Sequence, residues 1–212
     1  MRQRKVKNEK EKLQMNDAYL VKNAKSYIGR WRELFGNNND IYLELGCGKG
    51  QFIMTLAEQN PQNNYIGIEG QSSILLRALE KATELKLKNI FFVREFVGNI
   101  NEFFDENELD GIYLNFSDPW PKDRHAKRRL THKRYLEGYR KILKQHSFIQ
   151  FKSDNDLLFA FTMEQFEDNN LQILEYTDDL HNSNFLSKNV TTEYEDKFKS
   201  LGKNINYCKA RF

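Results

Sequence analysis

Between Asn115 and Leu130 the chain reads NFSDPWPKDRHAKRRL. One acid, Asp118, stands between Ser117 and Pro119. Trp120 stands between Pro119 and Pro121, and a dense set of cations follows. Proline fixes φ and removes an N–H, and the residue before each proline is pushed towards extended geometry. The stretch therefore presents Asp118 on a stiff loop that loses little entropy on binding. A fixed carboxylate can stabilise charge that develops during a reaction, and clustered cations can hold a polyanion. These residue types in this order predict an active-site loop facing an anionic polymer. A plain rigid turn with Trp120 in the core is the alternative that the residues alone leave open.

A second stretch, LELGCGKGQF, carries different chemistry. A strand-like run ends in Gly46, Gly48 and Gly50 before a helical segment, and glycines there allow positive φ and close backbone approach to a ligand. A dinucleotide fingerprint has its third glycine one residue later, where this chain has Gln51. The pattern is instead E-x-G-x-G-x-G, with Glu44 at the strand end. A carboxylate there repels a pyrophosphate and suits a ligand with ammonium and sulfonium groups. Glu69 ends the next strand-like run, where an acid can accept both ribose hydroxyls. Together Glu44, Gly46, Gly48, Gly50 and Glu69 suggest S-adenosylmethionine rather than a nicotinamide cofactor. Cys47 reads as a small filler.

Short apolar runs at 41–46, 65–70, 89–94, 110–116 and 147–152 read as strands. Helical patterns cover 51–59, 72–87, 135–144 and 156–166, with Ile74, Leu75, Ala78, Leu79 and Ala82 on one face of the second. Late strands are expected at 171–177 and 205–212, without a full helical pattern between them, so they are expected to pair antiparallel. Alternating strands and helices predict an α/β fold: a Rossmann-like, doubly wound, mostly parallel sheet with an antiparallel C-terminal strand. Ligands in such sheets sit beyond the carboxyl ends of the strands. The loops after Gly46, Glu69, Arg94, Phe116 and Lys152 should then share one rim. We divide the chain into a basic N-terminal helical arm, 1–40, and a Rossmann-like domain, 41–212.

Charge supports an anionic partner. The chain of 212 residues carries net +3. Arg2 to Lys12 contributes +4 and Lys122 to Arg134 contributes +6, which leaves −7 for the remainder. Positive charge gathered on an otherwise acidic body is the footprint of a polyanion-binding patch. Cys47 and Cys208 are the only cysteines, so a reduced, cytoplasmic compartment is expected. No apolar run approaches a membrane span, and no secretory signal follows the basic start. The four histidines, at 125, 132, 146 and 181, have no metal-ligand spacing, so no metal is expected.

LELGCGKGQF, YIGIE, IYLNFSDPWPKDRHAKRRLTHKRYL, FKSDN and TTEYEDKF together resemble the bacterial tRNA (guanine-N7-)-methyltransferase family over essentially the whole chain. These are class I S-adenosylmethionine-dependent enzymes. The glycine loop is shared widely among methyltransferases; SDPWPKDRHAKRRL and TEYEDKF are the specific signatures. The resemblance implies methyl transfer from S-adenosylmethionine to guanine N7 in tRNA. It places Asp118 at the cofactor and the reacting centre. It implies substrate binding by Lys122, Asp154, Thr192, Glu193, Tyr194 and Glu195, and RNA contacts by Arg124, His125, Ala126, Lys127, Arg128 and Arg129. On the residues alone Asp154 could equally be a helix N-cap and Tyr194 could be core. Two positions depart from the family. Phe96 stands where an acid usually faces the adenine amine, so either Phe96 stacks on the ring or Glu95 substitutes. Ser153 replaces a usual Thr. An RNA-binding module without catalysis and an exocyclic-amine methyltransferase are the competing functions. Monomer and homodimer are equally compatible with the sequence.

Overall fold

Apolar side chains at nearly every position suit strands buried on both faces, the condition of a parallel sheet with helices on either side. The computed structural model describes residues 8–212, so the Arg2–Lys7 part of the basic run lies outside the described residues. The strands are β1 (Ile41–Leu45), β2 (Asn64–Ile68), β3 (Ile90–Val93), β4 (Leu109–Asn115), β5 (Leu143–Ser153), β6 (Gln172–Thr177) and β7 (Asn206–Arg211). Among the described residues they form one sheet in the order β3-β2-β1-β4-β5-β7-β6. Pairings from β3 to β5 are parallel, and β7 runs antiparallel to both β5 and β6. The expected fold class is therefore the observed one.

The helices are α1 (Glu9–Met15), α2 (Trp31–Phe35), α3 (Gln51–Gln59), α4 (Ser72–Leu85), α5 (Lys133–Ile142), α6 (Asp156–Asp168) and α7 (Glu193–Ser200). The apolar face of α4 buries Leu75, Leu76, Ala78, Leu79 and Ala82, while Ile74 is only half-buried. One hydrophobic cluster, with α3 and α4, covers one face of the sheet, and a larger one, with α5 and α6, covers the other. Each large apolar side chain buried there stabilises the fold by roughly 1.5–3 kcal/mol.

Residues 8–40 dock on this sheet. Leu13 joins the α4 cluster, and Val21 N–H donates to Phe92 O at 2.8 Å. Trp31 is fully buried in the larger cluster and donates through Nε1 to Phe103 O at 2.9 Å.

Two expectations are corrected. Helix α7 lies between β6 and β7, where the sequence showed no full helical pattern. It is short, and its N-cap is a side chain: Thr192 Oγ1 accepts from Glu195 N–H at 2.9 Å. Helix α5 ends at Ile142, and Leu143 and Lys144, expected as helix, open β5. Leu143 pairs with Leu109, and Lys144 Nζ reaches Asp110 at 2.7 Å. Tertiary pairing there overrides helical periodicity.

Strand order reverses between β1 and β4, so a ligand site is expected beyond their carboxyl ends. The loops carrying Gly46–Gly50 and Phe116–Pro121 leave the sheet at that point. Among the described residues no helix is long and apolar enough to cross a membrane.

Candidate active site

The loop after β1 holds three left-handed residues, Gly46, Gly48 and Gly50, at φ 75°, 58° and 78°. A Cβ at Gly46 or Gly48 would point into open space, but one at Gly50 would press on Met54 and Ala78 at 3.0 and 3.1 Å. The first two glycines thus leave room for a ligand, and the third lets α3 pack against α4. Glu69 ties the loop to the end of β2: Gly48 N–H donates to Glu69 Oε2 at 3.2 Å and Gln71 N–H to Oε1 at 2.8 Å. Cys47 is buried, and burial pushes its thiol well above the usual range, so it is inert packing. Gln51, which breaks the dinucleotide fingerprint, donates to Asp196 Oδ2 at 2.9 Å and links α3 to α7.

A cleft of about 430 Å³ opens beside this loop. Its walls include Gly46, Glu69, Phe96, Asp118, Trp120 and Arg128. Asp118, in the loop after β4, is exposed. Phe96 is 77% exposed, and its ring lies so close over Gly70 that any Cβ there would collide with it. Glu95 lines the same cleft, so both alternatives raised for the adenine position face it.

A second cavity, of about 160 Å³, adjoins the glycine loop and is also lined by Thr192, Glu193 and Tyr194. Glu44 lies in its wall and is only 2% exposed. Its Oε1 accepts from Asn115 Nδ2 at 2.8 Å, while Oε2, Asn115 Oδ1 and Ser117 Oγ are buried without a partner. An unmet buried polar group costs about 1–3 kcal/mol. Burial raises the Glu44 carboxyl to about 8, against the smaller opposing pull of Asn115 and Lys152. An acid so placed calls for a cation. The α-ammonium of S-adenosylmethionine has the charge and donors that Glu44 Oε2 lacks, so the residues present fit this cofactor.

The structure sets aside the helix-cap reading of Asp154 and the core reading of Tyr194. The cap of α6 is Asn155, whose Oδ1 accepts from Leu158 N–H at 2.8 Å, so Asp154 is free of that duty. Tyr194 is 46% exposed, its ring 5.2 Å from Phe116 and 4.5 Å from Phe198. Lys122, Arg124, Lys127 and Arg128 are exposed, and His125, Ala126 and Arg129 are half-buried. Among the described residues no cluster of His, Cys, Asp and Glu could hold a metal.

A family described as putative methyltransferase matches residues 38–208. A protein of Lachnoclostridium phytofermentans named tRNA (guanine-N(7)-)-methyltransferase is 48% identical over 97% of this chain and 96% of its own length. One of the same name from Streptococcus agalactiae is 45% identical over 100% of both chains. This chain belongs to the tRNA (guanine-N(7)-)-methyltransferase family. Among solved structures, an antibiotic related methyltransferase superposes with TM-score 0.63 at 16% identity, covering 87% of this chain and 92% of its own. A SAM dependent methyltransferase from Aquifex aeolicus does so with TM-score 0.56 at 13% identity, covering 97% and 98%. At that identity these two support the fold alone.

In this tRNA (guanine-N(7)-)-methyltransferase family member the structure gives Glu195, expected at the substrate, a buried partner that the motifs did not assign to it. Lys152 and Glu195 form an ion pair at 2.6 Å with both side chains fully buried. Lys152 Nζ also donates to Asn189 Oδ1 at 3.1 Å and Val190 O at 2.8 Å. Glu195 Oε1 meets His181 Nε2 at 3.0 Å and Asn189 Nδ2 at 2.6 Å. Burial pulls the Lys152 ammonium pKa down, and Glu195 opposes that pull. Glu195 therefore faces inward and fastens α7 to β5, while Thr192, Glu193 and Tyr194 line the cavity that Glu44 also lines. The available signal was a lysine closing the apolar run SFIQFK, and, for Asn115, an amide closing IYLNF.

Proposed function

We propose that this protein transfers a methyl group from S-adenosylmethionine to N7 of a guanine in tRNA. Family membership carries the reaction and its substrate, and the observation that carries the cofactor is Glu44, a buried acid, 2% exposed, whose Oε2 has no partner beside the open glycine loop.

S-adenosylmethionine supplies an electrophilic methyl group when bound. Glu44 would hold its ammonium, and the Gly46–Gly50 loop and Glu69 would hold its ribose end. Guanine N7 has a free lone pair and no proton, so the protein needs no general base and positioning dominates the rate. Asp118, in the wall of the cleft, stabilises the positive charge that develops on the base and can accept from the guanine edge. Lys122, Asp154, Thr192, Glu193 and Tyr194 surround the base in this reading. Exposed cations of the 124–129 segment meet phosphates. Two buried free thiols, Cys47 and Cys208, suit the cytoplasm.

The test is nucleoside analysis of unmodified tRNA after incubation with the protein and a labelled methyl donor. We expect label in 7-methylguanosine. Label on an exocyclic amine, or tRNA binding with no transfer, would overturn the reading.

A further inference from the structure

The cations of NFSDPWPKDRHAKRRL do not all face outward. Residues Asp123–Arg128 form a short 3-10 turn that folds back on the loop before it. Arg129 Nε donates to Pro119 O at 3.1 Å, and its Nη2 donates to Trp120 O at 3.1 Å. The guanidinium carbon lies 4.4 Å from the centre of the Phe161 ring on α6. Arg128 covers the Trp120 ring at 4.7 Å, and His125 meets its edge at 5.8 Å.

This clasp acts where the backbone needs it. Trp120 has φ 41° and Phe116 has φ 51°. Both lie in the left-handed region, which is unfavourable for bulky residues and persists only when the surroundings enforce it. Asp118 sits between these two positions. Prolines restrict the loop, but they do not select a left-handed Trp120. Two carbonyls gripped by one planar fork can do so, because a guanidinium presents its donors in fixed geometry.

We propose that Arg129, assisted by Arg128, is a positioning residue for the Asp118 loop and not an RNA-phosphate contact. The proposal rests on the methyl-transfer reading for its rate effect, but the clasp itself does not. Arg124 and Lys127, both exposed, are left as the phosphate contacts of the segment.

Arg129→Lys keeps the charge and loses the fork. Three measurements test it. Single-turnover methylation at saturating tRNA and donor should fall on the order of 10²-fold, the cost of misplacing a reacting group by about 1 Å. The slope of log tRNA affinity against log salt, read in Arg129→Gln because a lysine would keep a phosphate contact, should stay at the wild-type value. Acrylamide quenching without RNA or donor should rise, because Trp31 is fully buried and Trp120 dominates that signal. Phe161→Leu, which removes the ring beneath the guanidinium and leaves every charge in place, should move rate and quenching in the same direction by less. A salt slope flattened by roughly 0.7–0.9, one phosphate contact, overturns the proposal whatever the rate. Unchanged quenching in both variants also overturns it. If wild type methylates no tRNA guanine, the function reading fails while quenching still decides the clasp.

Discussion

The cavity around Glu44 and the basic segment around Lys127 use charge in opposite ways. Glu44, Lys152 and Glu195 are buried, so desolvation sets the energy of each charge: Lys152 and Glu195 answer it by pairing, and Glu44 by holding its proton. Lys127 and Arg124 are exposed, so water and salt screen them and no single one matters much. In the function proposed above, that burial difference separates a site for one small cation from a surface for a long anion.

The comparison breaks first at its buried end. Lys152→Met leaves Glu195 charged and uncompensated, and we expect a loss of about 3–5 kcal/mol in urea unfolding. Adding Glu195→Gln should recover at least half. A single variant as stable as wild type would show that the pair does not fasten α7.

Glu44→Gln should weaken S-adenosylmethionine binding by roughly 1.5–3 kcal/mol, the worth of a hydrogen bond to a charged group, with a smaller change in tRNA affinity. Its pH dependence sharpens the point. With its carboxyl raised to about 8, the folded protein holds a proton that the unfolded chain has lost. Stability without cofactor thus falls as pH rises from the ordinary carboxylate range towards 8. A bound ammonium favours the ionised acid, so binding releases a proton and tightens as pH approaches 8. Calorimetry in buffers of different ionisation enthalpy should show that release in wild type and lose it in Glu44→Gln.

The smallest effect belongs to the exposed end. Lys127→Ala should flatten the salt slope of tRNA binding by roughly 0.7–0.9 and leave S-adenosylmethionine affinity unchanged by calorimetry. An unaltered slope would place Lys127 outside the RNA interface.

Much of this was legible in the residues. The glycine loop, the alternation of strands and helices, and the antiparallel end followed from spacing and apolar runs, because local backbone preference and burial pattern act within short windows. Helix α7 was not legible: it is short, polar, and fixed by the Thr192 cap and the Glu195–Lys152 pair. The start of β5 was missed because Leu143 and Lys144 continue a helical pattern but belong to the strand that pairs with β4.

By itself the sequence determined the fold class, the family signatures and the candidate acids, since residue type and spacing encode these directly. Only the tertiary structure decided which way each charge faces. It turned Glu195 inward to Lys152, left Glu44 Oε2 without a partner, freed Asp154 by capping α6 with Asn155, and set Arg129 on Pro119 and Trp120. Orientation depends on contacts between segments far apart in the chain, and a linear pattern of residue types does not contain them.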